Sequence, residues 1–190
     1  MKRILFSLYL SLIAILTFAT DGFTVADVFT DHMVLQRNAI IKIWGEAQNG
    51  SLVEVRFAGQ LQKVKAIQGK WQVTLKTGEA GGPYKLEVIN GNNKVSFQDV
   101  LIGDVWLAGG QSNMEFALRR VKDAQTEISL ADYPQIRYYK VPRKFYPEQE
   151  VSKASWRVCS PQTAPEFSAI AYYFSRNIHK ELNVPIGIIQ

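Results

Sequence analysis

The sequence is poor in the residues that form disulfides and transfer protons: it has one cysteine, Cys159, and two histidines, His32 and His179. A single cysteine excludes an internal disulfide, so the fold depends on its hydrophobic core. Because no histidine lies near Cys159 in the sequence, we interpret this residue as buried and apolar in character. His32 is expected to be structural. His179 lies off the apolar side of a predicted helix, and we expect it to be solvated.

Long hydrophobic runs are absent beyond the first residues. Met1-Lys2-Arg3 precedes an apolar stretch over residues 4–18, and Thr17–Ala19 resembles a small-x-small cleavage site. The stretch is shorter than the roughly 20 apolar residues that a membrane span needs, which favours a cleaved signal peptide over residues 1–19 rather than an anchor helix. We therefore expect an exported protein, periplasmic or extracellular, without a membrane span after cleavage.

The sequence also has only a small excess of positive charge. The formal net charge of +5 falls to +3 without Lys2 and Arg3, and the remaining basic residues are scattered. Scattered charge is typical of a solvated surface, so no nucleic-acid partner is expected. No cofactor and no metal are predicted either. The sequence leaves the oligomeric state open.

Residues 20–99 alternate apolar and polar side chains with a period of two. Trp71, Val73 and Leu75, for example, are separated by polar residues, and turn signals such as Asn49-Gly50 and Asn90-Gly91 divide the runs. Short alternating strands with regular turns predict an antiparallel β-sandwich.

The pattern changes at Val100, and residues 100–190 predict an α/β region. Residues 100–102 and 105–108 are nearly continuous apolar runs, which are typical of strands buried on both faces of a parallel sheet. The predicted elements that follow are a helix over 115–130, a strand over 136–141, a loop over 143–166 with a short strand near Trp156, a helix with one apolar stripe (Phe167, Ile170, Ala171, Phe174, Ile178 and Leu182) and a strand from Pro185. We expect this last strand to lie at the edge of the sheet.

Ser112 lies in the segment Gly109–Met114, with the sequence Gly-Gly-Gln-Ser-Asn-Met, directly after one of these runs. Glycines permit a tight turn out of a strand, and the backbone N–H groups beyond such a turn can face an oxyanion. A serine placed there is a candidate nucleophile. The G-x-S-x-G elbow is not matched, because Met114 occupies its last position. On local spacing alone, a helix-capping serine is the favoured alternative.

Residues 103–115 resemble the first sequence block of the sialate O-acetylesterase family, a branch of the SGNH (GDSL-like) hydrolases. The resemblance continues in the family's order at residues 28–37, 43–45, 69–71, 156–161, 167–174 and 184–187. It implies that residues 20–99 form an antiparallel β-sandwich. It also implies that residues 100–190 form the first, incomplete part of an α/β/α SGNH-hydrolase domain with a flavodoxin-like parallel sheet.

The resemblance further implies that Ser112 is a catalytic nucleophile and that its backbone N–H is an oxyanion donor. The reaction would be the hydrolysis of O-acetyl esters on sugars such as sialic acids, through an acetyl-enzyme. In SGNH hydrolases the acid and base come late in the chain as Asp-x-x-His. This spacing does not occur in the sequence, so the general base histidine and its aspartate are missing. We therefore expect a truncated esterase that is inactive or weakly active alone.

Two other functions compete with this prediction. A non-catalytic carbohydrate-binding or scaffolding sandwich could stack sugars on Trp44, Trp71 or Tyr84, although the alternation places Trp71 in the core. The role of Trp44 stays undecided. A lipase-like esterase is less favoured, because the elbow departs at Met114 and no apolar substrate surface is evident.

Overall fold

The computed structural model describes residues 22–142 and 153–190. The predicted signal peptide, residues 1–19, lies outside the described residues, as does part of the predicted loop over 143–166. The described elements are β1 (Thr24–Val25), β2 (Val34–Gln36), β3 (Ile40–Glu46), β4 (Leu52–Phe57), β5 (Gln60–Lys65), β6 (Lys70–Lys76), β7 (Gly81–Asn90), β8 (Asn93–Leu107), α1 (Ala124–Ser129), β9 (Tyr133–Tyr139), β10 (Trp156–Cys159), α2 (Ala169–Leu182) and β11 (Ile186–Ile189). Short 3₁₀ helices span Leu118–Arg120 and Ala164–Glu166. No described helix is long and apolar enough to cross a bilayer.

The period-two segments form two facing sheets. One is antiparallel, with the strand order β1-β3-β6, and the other contains the antiparallel run β8-β7-β4-β5. Trp71, Val73 and Leu75 of β6 and Val53 and Val55 of β4 all point into one buried hydrophobic cluster. Alternation therefore selects the buried face of each strand, as expected for a sheet with one side in the core.

Strand β8 joins the sandwich to the α/β region without interruption. Its first part pairs antiparallel with β7, residues 101–103 pair parallel with β2, and residues 104–107 pair parallel with β11. Asp99 has a φ of 52°, and the β7–β8 register is irregular near it. A left-handed residue bends a strand and ends regular pairing. The predicted boundary between residues 99 and 100 thus falls inside one strand, and two separate domains stay a prediction.

The α/β region is built on three parallel strands. β11 lies between β8 and β9 and is parallel to both, while β10 pairs antiparallel with β9 at the outer edge. Helix α2 packs against β9 and β11, which confirms the predicted strand–helix–strand unit and the mixture of β and α/β structure. The expectation that the last strand lies at the sheet edge is wrong. β11 is central, because it inserts between strands that precede it in the sequence.

The helices differ from their predictions in extent and in the buried face. The helix predicted over 115–130 is a 3₁₀ turn followed by the short α1, since Asp123, at a φ of 60°, interrupts the chain before α1. Helix α2 buries Ala171, Tyr172 and Ser175, whereas Phe174 of the predicted stripe is exposed. The reason is that α2 packs mainly on β9 and β11, so Phe174 lies toward β8 and meets the partly exposed ring of Trp106 there.

Candidate active site

Ser112 lies just beyond the carboxyl end of β8, on the side of the parallel sheet where α/β proteins bind ligands. The chain turns there with hydrogen bonds from the Glu115 amide to the Gln111 carbonyl (3.1 Å) and from the Phe116 amide to the Asn113 carbonyl (3.3 Å). We call residues 109–116 the serine turn. Ser112 is exposed, and its hydroxyl has no hydrogen-bond partner among the described residues.

The first part of the serine turn, residues 109–114, leaves its backbone N–H groups available. Ala108 is the last residue of this segment whose N–H is bonded into the sheet, to the carbonyl of Ile189 (2.8 Å). The N–H groups of residues 109–114 donate no hydrogen bond within the described part of the chain. An exposed hydroxyl surrounded by unpaired N–H donors is an arrangement that can stabilise a negative oxygen.

Of the two glycines in the serine turn, only Gly110 is needed for steric reasons. A Cβ added to Gly110 would lie 2.8 Å from the Cβ of Met114, whereas a Cβ on Gly109 would meet no atom within 4 Å. Neither glycine has a positive φ. The predicted need for glycine in the turn therefore holds at Gly110, where the turn folds back on Met114, and Gly109 has no steric reason to be glycine.

A cleft of about 250 Å³ lies beside the serine turn. It is lined by Gly110 and Met114 of the turn, by residues 140–142 that follow β9, and by Gln190 after β11. Lys140 is the one cation among the lining residues, and Glu115 is the one anion. The cleft has room for a small acyl group, and its lining residues Gly110 and Met114 each lie two positions from Ser112 in the sequence.

A set of polar side chains ties the serine turn to the sheet and to α2. The Gln190 Nε2 donates to the Met114 carbonyl (2.9 Å), and the Tyr138 hydroxyl donates to the Gln190 Oε1. The backbone N–H of Ser168 donates to the Tyr138 oxygen (3.1 Å), and the Ser168 hydroxyl contacts the Met114 sulfur (3.4 Å). Sequence analysis did not identify these residues, since their separate positions carry no motif.

Both histidines lie at the far end of the sheet. The His32 Nδ1 is 2.7 Å from the Asp99 Oδ2, and Asp99 precedes Leu107 by eight residues of β8, about 26 Å of strand. His179 lies ten residues after Ala169 in α2, about 15 Å along the helix from the end that contacts the serine turn. Neither can accept a proton from Ser112.

The predictions for the two histidines have different outcomes. His32 is held by Asp99, as expected for a structural residue. His179 is half-buried, its Nδ1 donates to the Val184 carbonyl (2.8 Å), and its ring meets that of Tyr133 edge-on. The prediction that it is solvated is wrong, because the chain after α2 turns back over it.

Cys159 is buried in the core, as the sequence indicated. Burial raises the pKa of its thiol to about 12, so it is protonated and unreactive at neutral pH. No group of three or more potential metal-ligating side chains occurs among the described residues.

The sandwich aromatics separate into buried and exposed. Trp71 is buried, whereas Tyr84 is half-buried and packs edge-on against the buried Phe57, with 5.6 Å between the ring centroids. Trp44 is 43% exposed and lines a cleft of about 490 Å³ together with Asp27, Glu46 and Lys70. The prediction that Trp71 belongs to the core is confirmed.

The chain is similar in sequence and in structure to known esterases. A human sialate O-acetylesterase is 31% identical to the chain, and the match covers 88% of this chain and 36% of the human protein. A rat sialate O-acetylesterase is 32% identical, with 88% and 35% covered. A crystal structure described as a novel carbohydrate acetylesterase from Xanthomonas citri matches with a TM-score of 0.81 and 37% identity, over 87% of this chain and 39% of that one. No protein-family model matches.

These matches confirm the resemblance predicted from the sequence: the chain is homologous to the sialate O-acetylesterases over most of its length. It spans little more than a third of the length of those curated relatives.

Proposed function

We propose that this chain, as a homologue of the sialate O-acetylesterases, carries the serine nucleophile of a carbohydrate O-acetylesterase. The observation that supports this most directly is the position of Ser112. Its hydroxyl is exposed, at the carboxyl end of the parallel sheet, beside a cleft and among unpaired backbone N–H groups. The proposed substrate is an O-acetylated sugar such as a sialic acid, in line with the names of the relatives.

In the proposed reaction, the Ser112 oxygen attacks the carbonyl carbon of the acetyl ester. The carbonyl oxygen becomes negative and is stabilised by the Ser112 N–H. The bond between the acetyl carbon and the sugar oxygen then breaks, and the sugar oxygen leaves with the proton that the Ser112 hydroxyl gave up. Water then attacks the acetyl-enzyme, which releases acetate and restores the hydroxyl. One oxyanion donor contributes about 3 kcal/mol to lowering such a barrier.

We further propose that the general base comes from polypeptide beyond these 190 residues. Two features support this. Both histidines lie at the opposite end of the sheet from Ser112. In addition, no described strand pairs with residues 104–107 of β8 on the side away from β11, and Trp106 and Leu107 are exposed there. An open apolar edge of this kind is normally covered. The chain alone should therefore hydrolyse acetyl esters slowly.

The test is acetate release from an O-acetylated sialic acid by the 190-residue chain, with and without imidazole as an external base. We expect slow release that imidazole accelerates, over the background measured with Ser112→Ala. Equal release by Ser112→Ala in both conditions would contradict the role of Ser112. Fast turnover without imidazole that depends on Ser112 would contradict only the missing base.

Export from the cytoplasm is also part of the proposal. It is supported by the basic start, the apolar stretch and the small residues within positions 1–19. Expression in a bacterium with an intact secretion system, followed by intact-mass measurement of the exported material, should show loss of residues 1–19. Retention of the full chain in the cytoplasm would contradict it.

Sugar binding by the sandwich is a second candidate function, favoured by the exposed face of Trp44 in a cleft that also presents two carboxylates and an ammonium group. Exposed indole rings with flanking polar groups suit the alternating apolar and hydroxyl faces of a sugar ring. Titration of the Ser112→Ala variant with neutral oligosaccharides should show binding that Trp44→Ala abolishes. Unchanged binding in Trp44→Ala would exclude this cleft.

A further inference from the structure

Two side chains outside the serine turn hold it at Met114. Gln190 binds the Met114 carbonyl with its amide nitrogen, and the Ser168 hydroxyl contacts the Met114 sulfur. The backbone adds one bond from the Ala169 amide to the Phe116 carbonyl (2.8 Å). The Ser112 segment between Ala108 and Met114 is not itself bonded to the sheet. Its position therefore depends on where Met114 is held.

Tyr138 connects these anchors. Its ring is buried and stacks on that of Phe167, with 4.3 Å between centroids and 11° between planes. Its hydroxyl accepts from the Ser168 amide and donates to the Gln190 Oε1, which leaves the Gln190 Nε2 directed at Met114. Burial raises the pKa of the Tyr138 hydroxyl, which therefore keeps the proton that it donates to Gln190.

We propose that Tyr138, acting through Gln190, is a positioning residue for the Ser112 nucleophile. The inference rests on the proposed function and deepens it, because it says which side chains set the angle of the serine turn. Tyr138 does not reach the substrate. It fixes the amide orientation of Gln190, and the Gln190 amide fixes the carbonyl of Met114, two residues from Ser112.

The mechanism of this effect is geometric. Catalysis by a nucleophile and its oxyanion donors depends on positions held within about 0.5 Å. Without the Tyr138 hydroxyl, the Gln190 amide is free to rotate, and its hydrogen bond to Met114 competes with hydrogen bonds to water. The unpaired N–H groups of the turn then sample a wider range of directions and stabilise a negative atom at position 112 less well.

A thiol at position 112 tests this without requiring turnover. In Ser112→Cys, the native cysteine is silent, because Cys159 is buried and its pKa is about 12. The rate of alkylation by iodoacetamide against pH then reports the pKa and reactivity of the new thiol alone. Ser129→Cys, an exposed position on α1, supplies the profile of an ordinary surface thiol.

We expect the thiol at position 112 to titrate below the thiol at position 129. Adding Tyr138→Phe or Gln190→Ala should move its profile to higher pH and slow alkylation at pH 7 by about 3- to 10-fold, the size of one lost hydrogen bond. Tyr139→Phe is the matched control. It removes a hydroxyl from the next residue, which is equally buried but faces the sandwich and donates to the Asp27 carbonyl (3.2 Å).

The outcomes separate the two proposals. If the thiol at position 112 is acidic and neither Tyr138→Phe nor Gln190→Ala changes its profile, the positioning role is wrong and the proposed function stands. If Tyr139→Phe changes it as much as Tyr138→Phe, at matched thermal unfolding midpoints, the effect is a general loosening and the positioning role is again wrong. If the thiol at position 112 titrates like the one at position 129, the turn stabilises no anion and both proposals fail.

Discussion

The two ends of β8 differ in how much of their backbone and side-chain hydrogen bonding is taken up by neighbouring residues. At the amino end, β7 pairs along one side, β2 pairs near residues 101–103, and Asp99 receives hydrogen bonds from His32 and Arg137, both at 2.7 Å. At the carboxyl end, residues 104–107 pair only with β11 among the described strands, and Trp106 and Leu107 are exposed. One strand thus runs from a closed, ion-paired junction to an open edge.

The amino end of β8 contributes to stability, whereas its carboxyl end presents polar groups that can take part in chemistry. The closed end has few donors or acceptors left to offer a ligand, because Arg137 also donates to the carbonyls of Pro134 and His32. The open end keeps a hydroxyl and several N–H groups unpaired within the described residues, beside a cleft. Unpaired polar groups lower stability when buried, but at an exposed strand end they are available for a reacting oxygen. Substitutions at the two ends should therefore have very different costs.

The largest contrast is expected between two tryptophans. Trp71 is buried in the sandwich and donates from its indole nitrogen to the carbonyls of Thr24 and Glu46, whereas Trp106 is 44% exposed and meets the ring of Phe174 edge-on. Trp71→Ala should lower the free energy of unfolding by about 4 kcal/mol, and Trp106→Ala by about 1 kcal/mol. Urea unfolding followed by circular dichroism measures both. Equal losses would mean that the open end is as well packed as the sandwich.

Gly103 marks the point where the closed part of β8 meets the parallel sheet. A Cβ added there would collide with the backbone oxygen of Pro185, which cannot move without shifting β11. Gly103→Ala should cost about 3 kcal/mol of unfolding free energy. Gly78→Ala is the control, since a Cβ there meets no atom within 4 Å. A cost below that of the control would show that β11 is not packed as described.

Removing the Arg137 side chain should lower the free energy of unfolding by less than Trp71→Ala or Gly103→Ala, but by more than breaking a surface ion pair. Its side chain is buried, and its removal in Arg137→Met leaves the Asp99 carboxylate, about a third exposed, with His32 alone. We expect a loss of about 2 kcal/mol, below the 3–5 kcal/mol found for fully buried pairs. Arg56→Met, which breaks an exposed pair with Glu54, should cost less than about 1 kcal/mol. If the two variants lose the same stability, the junction is no stronger than the surface.

The smallest effect is a pH dependence from Asp99. Burial alone would raise the pKa of this carboxyl, but the hydrogen bonds from Arg137 and His32 outweigh it and hold the pKa below the usual 3.8. A lowered folded-state pKa means that the stabilisation is complete above pH 3.8 and is lost as the pH falls through the lower folded-state value. The difference in unfolding free energy between the native chain and Asp99→Asn should therefore shrink below pH 3.8. A difference that grows on acidification would contradict the sign.

The sequence predicted the local features well. Alternation identified the buried face of β4 and β6, and the strand–helix–strand unit of β9, α2 and β11 followed from the change of period. The position of Ser112 at the end of a strand followed from the apolar run and Gly110. Each of these depends on residues close together in the sequence, where periodicity and turn chemistry decide the outcome.

The features that depend on distant residues could not be predicted. The central place of β11 depends on pairing with strands about 50 and 80 residues earlier in the sequence, which periodicity does not encode. The continuity of β8 depends on a bend at Asp99, and the presence of an aspartate does not predict such a bend. The link from Tyr138 to Met114 runs through three separate segments, each ordinary by itself.

The most direct test of the account is where an acetyl group goes. The native chain, incubated with an activated acetyl ester at mildly alkaline pH and digested, should carry the acetyl group on the peptide that contains Ser112. Ser112→Ala should lose that label, while His32→Ala and His179→Ala should keep it, because both histidines lie far from the serine turn. Labelling that persists on this peptide in Ser112→Ala, or that requires either histidine, would contradict Ser112 as the nucleophile at the open end of β8.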